Sequence, residues 1–278
     1  MNISVEEDPM SYSRTPHRVS RLTRAAIACG ALLVVAACSS DSPVASVDRL
    51  RSDARLPGHA ELQAALEFAR GTANGGFNLD MWATVVDRSG KVVAVAYTGA
   101  KEGDQWQGSR VISAQKANTG NAFSLPGLAL SSANLYAAAQ PGGTLFGLQE
   151  SNPVDPDVAY RGNVNDFGTD HDPMIGGRIG GINVFGGGFP LYASDGTIIG
   201  GIGVSGDASC ADHNIGWKTR DRLHLDFVPA GVSATGDDNI IYDIDANGHS
   251  ASGFGHPECF PASTAISNAL PTDFPIGN

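Results

Sequence analysis

Two turn signals, each flanked by β-rich runs, constrain the fold of this 278-residue chain more than any other feature. Asp87-Arg88-Ser89-Gly90 separates residues 81–86 (MWATVV) from 91–97 (KVVAVAY). Ser194-Asp195-Gly196 separates residues 189–193 (FPLYA) from 197–205 (TIIGGIGVS). A tight turn joins only antiparallel strands, so each pair reads as a hairpin. Helical patterns surround them. Residues 59–70 carry Leu62, Ala65, Leu66 and Ala69 on one stripe, and Gly71 follows. Residues 109–123 read as a second helix opened by a serine cap at Ser109, and 209–223 as a third. The order is helix, hairpin, helix, irregular insertion at about 125–180, hairpin, helix. That order predicts an α+β fold built on an antiparallel sheet; an α/β fold would alternate single strands with helices. The domain spans 57–223. Residues 224–278 are turn-rich and read as a carboxy-terminal extension packed on it.

Residues 176–206 hold 12 glycines. Glycine inside a strand marks a bulge or the close approach of another backbone. The density predicts a sheet surface left open for a helix, a partner chain or a flat ligand. Residues 201–206 also match G-x-G-x-x-G. A dinucleotide site is excluded because the preceding strand is the return arm of a hairpin, not part of a βαβ unit. The remaining reading is a strand end at a helix amino terminus, where free N–H groups can hold an anion.

The amino terminus reads as an address. Arg14, Arg18, Arg21 and Arg24 precede the apolar run 25–37 (AAIACGALLVVAA). A bilayer span needs about 20 apolar residues, so this run predicts an export signal over 1–37. It ends at Val35-Ala36-Ala37-Cys38, which looks like a bacterial lipobox with Cys38 as the lipid anchor; an ordinary secretory signal is the alternative. Residues 38–56 then form a small, polar tether. The expected location is the bacterial cell envelope, on the periplasmic side or at the cell surface. Cys210 and Cys259 remain, and an even pair in an oxidising compartment predicts one disulfide rather than two free thiols. A formal charge of −11 argues against a nucleic-acid partner, which needs a basic face.

No histidines are spaced for a zinc hydrolase. Cys210, His213 and Trp217 share one face of the third helix, so His213 is either a satisfied core histidine or an axial ligand to an iron porphyrin. His59, at the start of the first helix, stands between the same two readings. Asp212 reads as a cap or helix-start charge. Asp243, Asp245 and Asn247 match the first half of a calcium loop, but Phe254 stands where the bidentate glutamate belongs. A looser calcium site and a plain surface turn both remain open. No arrangement of acids, bases and nucleophiles identifies an enzymatic chemistry, so the chain reads more as a binder than an enzyme.

Several segments together resemble the GlcG/HbpS-type haem-binding family, also seen as the carboxy-terminal domain of PduO-type proteins. They are Trp82-Ala83-Thr84-Val85-Val86-Asp87 with Gly90, the run Ser113-Ala114-Gln115-Lys116-Ala117-Asn118-Thr119, Gly187-Gly188-Phe189-Pro190, and residues 195–206; Asp212 matches an acidic position after the last. The resemblance implies a profilin-like α-β-α sandwich, homo-oligomers and haem binding. It carries His59 over as a cofactor-binding candidate, whereas His213 rests on helical spacing alone. The reading is an extracytoplasmic, lipid-anchored, membrane-attached protein that sequesters, senses or transfers haem or a related flat tetrapyrrole. The alternative is a non-catalytic oligomeric interaction module of the same fold without haem. The insertion, the cysteine-bearing extension and the lipid anchor depart from the family pattern.

Overall fold

The computed structural model describes residues 55–277. The export signal, Cys38 and nearly all of the tether lie outside these residues. Helix α1 (His59–Arg70) leads into strands β1 (Trp82–Asp87) and β2 (Val92–Tyr97), then helix α2 (Ser109–Phe123). Two one-turn helices, α3 (Tyr136–Ala139) and α4 (Pro156–Ala159), lie in the insertion. Strands β3 (Gly188–Tyr192) and β4 (Ile198–Ser205) follow, then helices α5 (Ser209–Arg222) and α6 (Pro261–Asp273).

The strands form one antiparallel sheet in the order β2-β1-β4-β3. Both hairpins turn through a left-handed glycine, Gly90 at φ 78° and Gly196 at φ 77°. Helices α1 and α5 cover one face and α2 the other, giving the expected α+β architecture of three layers. Residues alternate between the faces as a pleated strand requires. Ala83, Val85, Leu191, Ile202 and Val204 pack under Leu62 and Leu66 of α1 and Ile215 and Trp217 of α5. Trp82, Val86 and Val95 pack with Val111, Ala114 and Ala117 of α2.

The glycine-rich surface is a seat for α2. A Cβ on Gly203 would lie 2.0 Å from the Ser113 carbonyl oxygen, and one on Gly201 would lie 2.4 Å from that of Ala117. A Cβ on Gly188 would lie 2.3 Å from the Lys116 carbonyl oxygen. Helix and strands therefore meet backbone to backbone. Of the three occupants the glycines allowed, a helix is the one observed. Ser109 is not the cap of this helix: Gly108 stands in that position without a side-chain bond, and Ser109 Oγ instead lies 3.2 Å from Ser205 Oγ.

Buried ion pairs fasten both additions. In the insertion, Asp172 accepts from Arg110 Nε at 2.8 Å and Nη2 at 2.5 Å, and Ala159 O accepts from Nη1 at 2.8 Å. In the extension, Asp238 accepts two bonds from Arg220, both 2.7 Å. Such forked pairs fix orientation as well as distance. The Cys210–Cys259 disulfide, with Cα atoms 6.0 Å apart, adds a covalent tie. The extension is more ordered than its turn-rich sequence suggested, because it contains α6. Its buried face carries Ser263 and Ser267. Ser267 donates to Asn214 Oδ1 at 2.7 Å, and Asn214 donates to the Ser263 carbonyl at 3.1 Å. Leu270 on the same face enters the main core, with Ile266 and Phe274 packed against it, so the helix docks through a mixed face rather than the long apolar stripe that sequence periodicity detects.

Gly203→Ala is expected to destabilise the protein by about 3 kcal/mol in urea unfolding, since backbone on both sides must move. Gly127→Ala, where an added Cβ meets nothing within 4 Å, is the control and should be near neutral. Equal effects would show that the close seat is not needed.

Candidate functional site

The glycine seat draws Lys116 through the layer between sheet and helices. Its Nζ donates to Asp212 Oδ2 at 2.7 Å and to the Val204 carbonyl at 3.2 Å. Asp212 Oδ1 accepts from the Asp207 backbone N–H at 2.8 Å, so it does serve the start of α5. Its larger role, as the partner of Lys116, was not legible: 96 residues separate the two, and only the fold joins them. Asp207 Oδ1 takes the Ala208 N–H at 2.6 Å, and the same carboxylate takes the N–H groups of Phe77 and Leu79. The amino end of α5 thus has two carboxylates of the chain itself on its N–H groups.

This pair forms the floor of a cavity of about 330 Å³. Ser109 and Ile112 of α2, Ser205 of β4 and Ser209 of α5 wall it, with Trp106 and Phe185 at the rim. Both rim aromatics are exposed. The volume lies at the small end of ligand pockets, which run to about 1,000 Å³. Burial works against both charges on the floor. It pushes Asp212 up to about 6 and Lys116 down, while their mutual attraction holds each towards its ordinary value.

The two histidines singled out in the sequence are not brought together. His213 is sealed in the core, but it is not the fully satisfied core histidine of its alternative reading, because its buried Nδ1 has no hydrogen-bond partner. Its Nε2 lies 3.1 Å from Asn239 Oδ1 and 3.1 Å from the Ile240 N–H, and its ring packs on Phe189. Asn239 Nδ2 donates to the Ser267 carbonyl at 2.9 Å, which orients its amide oxygen towards the imidazole. Burial pushes His213 down to about 3, so it is neutral at any physiological pH. It lines none of the cavities described. His59 is half-buried, and its Nδ1 lies 2.8 Å from the Val95 carbonyl oxygen. That contact puts the proton on Nδ1 and leaves Nε2 with its lone pair free, the arrangement common to metal-bound imidazoles. His59 lines none of those cavities either, and it differs from His213 in that its ring is only half-buried rather than sealed in the core.

At the former calcium motif, Asp243 accepts from the Ser250 hydroxyl and the Ser252 N–H, and Asp245 from the N–H groups of Asn247 and His249. These are local turn bonds. Among the described residues, no group of three or more His, Cys, Asp or Glu side chains is placed to hold a metal ion.

Residues 59–219 match the HbpS-like family, described as haem degrading protein HbpS-like. The chain belongs to the HbpS-like family. Lys116, Asp212 and the whole glycine seat fall inside the matched span, while α6 and His256 fall outside it. Among solved structures, the PduOC:heme complex is 21% identical, with 60% of this chain and 94% of that chain covered and a TM-score of 0.42. The ORFY protein of Klebsiella pneumoniae is 22% identical over 61% and 94%, at a TM-score of 0.40. A double mutant of HbpS from Streptomyces reticuli is 17% identical over 70% and 99%, at 0.35. No curated protein matches the chain.

Removing one member of the Lys116–Asp212 pair leaves the other charge buried and unpaired, at a cost of about 3–5 kcal/mol. Lys116→Met should therefore unfold at lower urea than the Lys116→Met/Asp212→Leu double variant. The reverse order would mean that the pair is not held as an ion pair.

Acid should also act through buried imidazoles. Burial holds His213 at about 3 and His256 at about 4, below their ordinary value. The unfolded chain takes up these protons first, so their contribution is full above about pH 6.5 and is lost as pH falls towards 4. Asp212, raised to about 6, acts in the opposite direction below that pH. It does so equally in native and variant chains. Between pH 7 and pH 5, His256→Gln should lose about 2 kcal/mol less stability than the native chain. Parallel stability curves would show that His256 titrates as it does in water.

Proposed function

We propose that this protein binds haem outside the cytoplasm, with His59 Nε2 as the iron ligand, and sequesters, senses or hands on the cofactor. The observation that carries the reading is the bond from His59 Nδ1 to the Val95 carbonyl, which fixes the tautomer an iron ligand needs. Membership of a family described as haem degrading supports it. Bound haem supplies a redox-active iron; the chain's own part is to hold and orient it. His213 is not part of this proposal, since its ring is enclosed by Phe189 and Asn239.

Export and anchoring belong to the same proposal. The basic and apolar segments before Cys38 support a lipoprotein signal. The Cys210–Cys259 disulfide suits an oxidising compartment. Assembly into a homo-oligomer is also proposed, on the family resemblance.

Haemin titration of the full chain, followed by absorbance, tests the reading. A saturable, sharpened Soret band at one haem per chain or per dimer is expected. His59→Ala should shift or abolish it, and His213→Asn should leave it in place. A featureless response, like that of haemin with an unrelated protein, would overturn haem binding. The oligomeric interaction module would then stand, measurable by light scattering.

A further inference from the structure

The wall of the Lys116–Asp212 cavity carries an arrangement that haem binding does not use. Ser209 Oγ lies 2.8 Å from His256 Nε2, and His256 Nδ1 lies 2.7 Å from the Pro257 carbonyl oxygen. A carbonyl accepts only, so Nδ1 carries the proton and Nε2 is the acceptor. The serine hydroxyl therefore donates to the imidazole. This is the polarity a serine nucleophile and its base require, with a third group orienting the base. The exposures of the two residues differ in the direction the chemistry needs. His256 is 2% exposed, while Ser209 is half-buried and lines the cavity. The Gly186 N–H donates to Ser209 Oγ at 2.7 Å and holds the hydroxyl in place. The His256 ring also packs on Tyr136 at 4.9 Å between centroids, which fixes its plane.

We propose that Ser209 and His256 form a nucleophile–base dyad that hydrolyses small esters with apolar acyl groups. The cavity sets the substrate class. Ile112, Phe185 and Trp106 offer apolar walls, and about 330 Å³ admits a small acyl group but not a long chain. Burial pushes His256 down to about 4, so the imidazole is unprotonated at neutral pH. A base that weak implies slow turnover.

The reaction balances within these groups and water. Ser209 Oγ attacks the ester carbonyl carbon as its proton passes to His256 Nε2. The tetrahedral adduct collapses, the C–O bond to the alcohol breaks, and the alcohol leaves with that proton. Water then attacks the acyl-serine, His256 takes its proton, and the carboxylic acid is released as the proton returns to Ser209. Lys116 lines the same cavity, but Asp212 already holds its ammonium and the chain's own carboxylates take the N–H groups at the start of α5, so a developing oxyanion gains little there, which again implies slow turnover.

The dyad joins the two parts of the chain. Ser209 lies in the family-matched span, residues 59–219, and His256 in the extension beyond it. The disulfide clamps them together, since Cys210 follows Ser209 directly and Cys259 lies three residues beyond His256.

Two probes test the proposal on the full, oxidised chain. A fluorophosphonate should label the protein on the peptide holding Ser209, read by mass spectrometry. p-Nitrophenyl acetate should be hydrolysed, with Ser209→Ala and His256→Gln each lowering the rate by about 100-fold or more. Circular dichroism establishes that each variant is folded. An unlabelled native chain, label on another residue, or unchanged hydrolysis in a folded Ser209→Ala variant would overturn it. Neither readout depends on haem, so failure here leaves the haem reading standing, and the converse holds.

Discussion

Helix α2 rests on bare backbone. Gly188, Gly201 and Gly203 present no side chain beneath it, and any Cβ there would meet a helix carbonyl oxygen within about 2.4 Å. Dispersion contacts weaken steeply with separation, so this approach gives the layer its density. It also decides where Lys116 goes. With Gly203 under its Cβ, the lysine stem passes between helix and strand, and its ammonium emerges beside Asp212 on α5. One run of small residues thereby sets the sheet-to-helix spacing, creates the buried ion pair and leaves the cavity over that pair.

The two additions are fastened by the same device. Arg110 of α2 grips Asp172 of the insertion, and Arg220 of α5 grips Asp238 of the extension. Both pairs are buried, so losing either partner would strand a charge. The extension does most to change the site. It closes over His213 through Asn239, runs along the outer edge of β3 at Leu225, and brings His256 to Ser209. A histidine that helical spacing alone made a ligand candidate is thereby enclosed, while a serine with no visible base acquires one.

The hairpins and α1 were legible because their signals are local. Turn residues at 87–90 and 194–196, and the stripe Leu62–Leu66–Ala69, need no knowledge of the rest of the chain. The glycine seat was legible only in outline: the sequence shows that something approaches closely, and the fold decides what. Lys116–Asp212 and Ser209–His256 join residues 96 and 47 positions apart, and nothing local marks either pair. Helix α6 was missed for a different reason. Its docked face mixes Ser263 and Ser267 with Ile266 and Leu270, and it contains Pro271, so its apolar period is too short to stand out. His59 was marked by its position, but the feature that favours it over His213 is a backbone carbonyl on β2, contributed 36 residues later.

The functional account rests on the free Nε2 of His59. A crystal structure of the full chain grown with haemin tests it most directly. The account predicts iron bonded to His59 Nε2, with Nδ1 still on the Val95 carbonyl and His213 still enclosed beside Asn239. Iron bound to another residue, or His213 turned out of the core to meet it, would contradict the account.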